Sequence, residues 1–124
     1  MVLKDNLYTI VDIDKENSVV EIAMCPNCII NNAHFPDHPI TPGVCVIQIA
    51  VEVLGQLLGC ECFIQSVQNA KFLHIISPQN TTNVSFVFSG LICGDDQMIK
   101  TNVSVISVSD KRVYAKMSIL CKAS

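Results

Sequence analysis

The chain is 124 residues long, half of it apolar and only 15% charged, with a formal net charge of −3. That length suits one domain, spanning 1–124, and its eight basic residues are scattered; with 6% aromatic residues this disfavours nucleic-acid binding. The N-terminal residues show no apolar stretch of signal-peptide length and no window reaches membrane-spanning length, so the seven cysteines read as reduced thiols of a cytoplasmic protein, and the surplus of apolar residues predicts a subunit interface or a greasy ligand.

In chain order, Tyr8 to Ile13 reads as a short strand, 14–17 as a polar turn, and Ser18 to Met24 as a second apolar, β-branched strand. The two form an opening hairpin. The stretch 31–42 then packs three prolines and two histidines into twelve residues. Each proline fixes its own φ and restricts the residue before it, so this is a constrained loop of the kind that carries function.

After the loop, Thr41 suits a helix N-cap, Pro42 the first helical position, and Gly59 the C-terminal cap of the apolar run between them. Length and caps predict a helix where β-branched content alone leaves a strand open. Gln48, Glu52 and Gln56 recur every fourth residue as one polar stripe on an otherwise apolar helix. Such a helix is buried on most sides and needs a sheet around it.

The sheet comes from four β-rich segments, Phe63 to Leu73, Thr81 to Leu91, Met98 to Val108 and Arg112 to Cys121, parted by short polar turns. Turns that short make at least the last three strands antiparallel neighbours. The pattern is hairpin, loop, buried helix, meander, which is an α+β architecture with one helix against a curved antiparallel sheet.

The run His34-Phe35-Pro36-Asp37-His38-Pro39-Ile40-Thr41-Pro42-Gly43-Val44 closely resembles a family signature. It is that of the FabZ and FabA type of 3-hydroxyacyl-(acyl-carrier-protein) dehydratases, His-Phe-Pro-x-x-Pro-hydrophobic-x-Pro-Gly-Val, leading into a central helix. Asn69-Ala70-Lys71-Phe72 resembles a further strand of that family, with Lys71 where arginine is common. The resemblance implies the hot-dog fold, in which a curved antiparallel sheet wraps a long central helix. It also implies a homodimer, alone or as an oligomer of dimers, with the two sheets joined side by side. Each site would then combine the histidine of one subunit with the helix carboxylate of the other, and no cofactor is implied.

The implied reaction removes water from a 3-hydroxyacyl thioester to give a trans-2-enoyl thioester. Its weakly acidic α-proton needs a base titrating near neutrality, which suits His34. The thioester oxygen gains charge as the proton leaves, and backbone N–H groups at Gly43 and Val44, at the positive end of the helix, suit that charge. Phe35, Pro42 and Lys71 are candidate substrate or carrier contacts. The third need is an acid for the departing hydroxyl. In the family a carboxylate stands five residues after the glycine and a glutamine four residues later; this chain has Gln48 and Glu52 in those places.

An amide donates a hydrogen bond but delivers no proton, so two readings stay open. Either Glu52, one helical turn on, is the displaced acid, directly or through a water, with Gln48 holding the hydroxyl or water; or dehydration is crippled. In the second case the chain is a hot-dog acyl thioesterase, using the helix carboxylate on water or on the thioester carbonyl, or a non-catalytic thioester binder.

His38 falls on a variable position of the signature and reads as solvent-exposed, and Gln56 as structural or at the edge of an acyl tunnel. Cys25-Pro-Asn-Cys28 with Cys60-Glu-Cys62 meets only half of a structural zinc pattern, so no metal is expected. The partners implied are an acyl-carrier-protein or coenzyme A thioester, with neither nucleic acid nor membrane.

Overall fold

A computed structural model describes residues 8–24, 43–74 and 83–123 of the chain. Strands β1 (Tyr8–Asp14) and β2 (Val19–Met24) form the expected antiparallel hairpin. Its turn is closed by Asp14, whose carboxylate accepts from the Asn17 backbone N–H at 3.1 Å and from Asn17 Nδ2 at 2.8 Å. These bonds, the side-chain one first, hold the exposed Asp14 carboxyl below its ordinary pKa.

Helix α1 (Gly43–Leu58) follows, then β3 (Cys62–Phe72), β4 (Asn83–Cys93), β5 (Met98–Ser107) and β6 (Val113–Ala123). Gly59 closes the helix as its composition predicts. It takes a φ of 74°, and the N–H groups of Gly59 and Cys60 both donate to the carbonyl of Gly55, at 2.8 and 3.1 Å. A residue with a Cβ resists that φ, and two amides on one carbonyl end the helix abruptly. Thr41 and Pro42, read as its N-cap and first residue, lie outside the described residues.

The six strands form one sheet in the order β1-β2-β4-β5-β6-β3, with every adjacent pair antiparallel. The meander is therefore β4-β5-β6 only. β3 does not neighbour β4: β4 pairs with β2, and β3 lies beyond β6 at the far edge. The period-2 alternation along β2, β4, β5 and β6 sets Ile22, Phe86, Val103, Ile119 and their neighbours on one buried face, against the Cys45, Ile49, Val53 and Leu57 side of α1. This is the hot-dog fold, with one helix among the described residues held against a six-stranded antiparallel sheet.

Two features of the frame bear on the site. The helix approaches the start of β3 so closely that a Cβ on Gly55 would stand 2.6 Å from the carbonyl oxygen of Cys60. Phe72, at the end of β3, lays its ring over the start of the helix, with its Cζ 3.2 Å from where a Cβ of Gly43 would be. Both glycines thus let β3 run close along α1.

Candidate active site

The sheet leaves one side of α1 uncovered. Val44, Gln48, Glu52 and Gln56, spaced four apart, lie along it: Val44 is 70% exposed, Gln48 and Glu52 are half-buried, and Gln56 is exposed. The polar stripe is therefore a boundary between the core and an open cleft. That cleft has a volume of about 780 Å³ and runs between the stripe and the first residues of β3. Gln48, Val51, Glu52, Gly55 and Gln56 form one wall; Gly59, Cys60, Glu61, Cys62, Phe63 and Ile64 form the other.

The Glu52 carboxylate is held at both oxygens. Tyr8, the first residue of β1, donates its hydroxyl to Oε1 at 2.9 Å, and Gln48 donates Nε2 to Oε2 at 2.8 Å. Tyr8 is fully buried, so its ring is fixed by the core, and a buried phenol needs a partner for its hydroxyl. Gln48 is held to Glu52 by the i, i+4 geometry of the helix. The exchange of amide and carboxylate along the helix is consequently small in space. The Cα positions differ by one turn, roughly 6 Å, yet the Glu52 carboxylate reaches back to within one hydrogen bond of the Gln48 amide.

Gly43 and Val44 open α1, where the first-turn N–H groups have no partner within the helix. No acidic side chain stands in that first turn to offset the positive end of the helix. Lys71 is exposed on β3, opposite Lys116 of β6 and next in chain to the Phe72 that covers Gly43. His34, Phe35, Pro42 and His38 lie outside the described residues, as do Cys25 and Cys28. Among the described residues no helix is long and apolar enough to cross a membrane, and no group of three or more His, Cys, Asp or Glu side chains is placed to hold a metal ion.

Residues 11–91 match the family model of the ApeI-like proteins, described as ApeI dehydratase. The chain belongs to the ApeI-like dehydratase family. Among curated relatives, a protein named 3-hydroxyacyl-(acyl-carrier-protein) dehydratase FabZ from Rickettsia akari is 26% identical over 124 aligned residues, covering 82% of this chain and 83% of its own. The FabZ of Fusobacterium nucleatum is 32% identical over 81 residues, covering 58% of this chain and only 56% of that protein's length. Two solved structures share the fold at low identity. One is the dehydratase heterocomplex ApeI:P from Xenorhabdus doucetiae, with a TM-score of 0.59 at 16% identity, covering 84% of this chain and 85% of that one. The other is a thioesterase family protein from Silicibacter pomeroyi, with a TM-score of 0.64 at 12% identity, covering 98% and 87%. The hot-dog frame of this ApeI-like chain is thus common to dehydratases and thioesterases, and only its side chains can separate the two.

Sequence reasoning did not find Tyr8 or the Cys60–Cys62 wall of the cleft. Tyr8 stands 44 residues from Glu52, and no spacing rule joins a strand to a helix across that distance. The available signal was general: a tyrosine opening a core strand must bring its hydroxyl to a buried acceptor.

Proposed function

We propose that this chain is a dehydratase of 3-hydroxyacyl thioesters, carried on acyl carrier protein or coenzyme A, and that it works as a homodimer. His34 takes the α-proton, and the Gly43 and Val44 N–H groups hold the charge that develops on the thioester oxygen. Glu52 gives its proton to the 3-hydroxyl as the C3–O bond breaks, so that water leaves and the C2–C3 double bond forms. The observation that carries this reading is the Tyr8–Glu52–Gln48 cluster on the wall of the cleft.

Each carboxyl oxygen of Glu52 accepts one of these two donors, Tyr8 on Oε1 and Gln48 on Oε2. A protonated Glu52 keeps both partners while presenting its O–H to a bound hydroxyl. Once the proton has gone, the charge left behind meets two donors already in place, and charge-assisted bonds are the stronger ones. Gln48, with its amide nitrogen on Glu52, keeps the carboxylate beside the position where the family has its acid, and its carbonyl oxygen is an acceptor suited to the substrate hydroxyl.

The test is hydration of a 2-enoyl thioester, on carrier protein and on coenzyme A separately, followed by loss of conjugated absorbance together with release of free thiol. Hydration falling about 10²–10⁴-fold in both Glu52→Gln and His34→Ala, with the fold intact, is the expected result. Thiol release without hydration would instead make the chain a thioesterase. Silence in both channels would make it a thioester binder.

A further inference from the structure

Cys60 and Cys62 stand on the β3 wall of the cleft, opposite Glu52, and the proposed dehydration uses neither. Their sulfur atoms are 3.9 Å apart, close enough for one thiol to hydrogen-bond the other. Both are half-buried, unlike Cys121, which is fully enclosed by the sheet, and Cys93, which is exposed at the end of β4. The pair is also fixed in place: Cys60 N–H is bonded to the Gly55 carbonyl, and Cys62 begins β3 opposite Ala123 of β6. Two sulfurs 3.9 Å apart on neighbouring positions stand within a short displacement of the bonding distance of about 2.05 Å.

We propose that Cys60 and Cys62 form a redox-active dithiol that closes to a disulfide by exchange with a low-molecular-weight disulfide such as oxidised glutathione. Cys60, ionised by loss of its proton to solvent, attacks one sulfur of the small disulfide. The S–S bond of that molecule breaks, and its other half leaves as a thiolate that picks up a proton. Cys62 then loses its proton to solvent, attacks Cys60 Sγ, and expels the second small thiol. Two protein thiols are oxidised and one small disulfide is reduced to two thiols.

The surroundings set the order of the two attacks. Burial, then the neighbouring Cys60 sulfur, pushes the Cys62 thiol up to about 12, so Cys62 is the poor first nucleophile. Capping Cys60 in a mixed disulfide removes that neighbour's contribution and brings a good leaving group within reach of Cys62. Closure ties the end of the helix to the start of β3, on the wall facing Glu52. This proposal stands whether or not the chain is a dehydratase.

The experiment treats the whole folded protein, with Cys25 and Cys28 replaced by serine to exclude pairing with them, with oxidised glutathione. Free thiols are then alkylated and the peptides mapped by mass spectrometry. Loss of both free thiols at 60 and 62, with no glutathione retained there, is the expected outcome. Cys62→Ser should trap glutathione on Cys60, and Cys60→Ser should leave Cys62 alkylatable. Cys93, an exposed thiol on another strand, should give at most a mixed disulfide. The proposal is overturned if Cys60 retains glutathione in the presence of Cys62, if Cys93 reacts while 60 and 62 stay free, or if Cys62 reacts equally without Cys60.

Discussion

The Tyr8 side chain carries a single polar atom, and its ring is wholly enclosed by the core around it. Replacing it with phenylalanine keeps the ring and deletes the donor at 2.9 Å from Glu52 Oε1. A hydrogen bond to a charged group is worth about 1.5–3 kcal/mol. If Glu52 delivers the proton, Tyr8→Phe should lower kcat roughly ten- to hundredfold while leaving KM nearly unchanged, because the donor serves the charge that appears after transfer. Steady-state hydration kinetics of the variant measure this, and an unaltered kcat would remove Tyr8 from the machinery. The residue scale is also where sequence reading is most uneven. Gln48 and Glu52 are legible because four-residue spacing puts them on one helix face. That the two side-chain tips touch is not, because their meeting depends on rotamers fixed by Tyr8 from another strand.

At the scale of elements, most of the architecture follows from local rules: alternation in β2, β4, β5 and β6, a polar turn after β1, and a glycine closing α1. The place of β3 does not follow. Its sequence reads as a strand like the others, though less apolar than β4 or β6, and it lies at the sheet edge with most of its side chains exposed. Only the pairing of β2 with β4, a long-range choice, pushes it there. The junction of α1 with β3 is tight, and Gly55→Ala tests it. A methyl group 2.6 Å from a backbone oxygen forces the helix end and the strand apart, costing about 1–3 kcal/mol, against which better helix propensity returns at most ~1 kcal/mol. A lower denaturation midpoint is expected, and an unchanged one would mean that the junction yields freely. The same region gives a pH dependence. Burial raises Cys62 to about 12 and Cys121 to about 11, both from an ordinary 9.0. The unfolded chain therefore releases these protons first. The stability they contribute is whole below about pH 9 and is lost as pH rises through the folded values. Between about pH 8 and pH 10 the denaturant midpoint should fall less in Cys62→Ser than in the parent; parallel declines would contradict the linkage.

At the scale of the whole molecule, the edge strand bears on assembly. Phe63, Ile64, Val67, Phe72 and Leu73 are all exposed large apolar side chains on or just beyond β3, and among the described residues no strand pairs with its outer edge. An edge of that kind invites another strand. If a second copy supplies it, the pairing is isologous and antiparallel, and its two-fold axis passes near the middle of the pairable stretch. Register irregularities flank that stretch, between Ile64 and Ser66 on one side and between Gln68 and Lys71 on the other, where Asn69 takes a φ of 55°. The regular run between them, at the middle of the strand, is Ser66, Val67 and Gln68, with further regular pairs at Cys62 to Ile64 and at Lys71 and Phe72. A lysine in place of Val67 would therefore face its own symmetry mate, setting two like charges against each other across a strand pair. Light scattering coupled to size exclusion should report a dimer for the parent and a monomer for Val67→Lys. Because the proposed site takes His34 from one subunit and Glu52 from the other, the variant should lose hydration in step with its dimer and regain it as concentration is raised. A Val67→Lys protein that stayed dimeric would put the interface elsewhere; one that became monomeric and kept full activity would show that each subunit carries its own complete site.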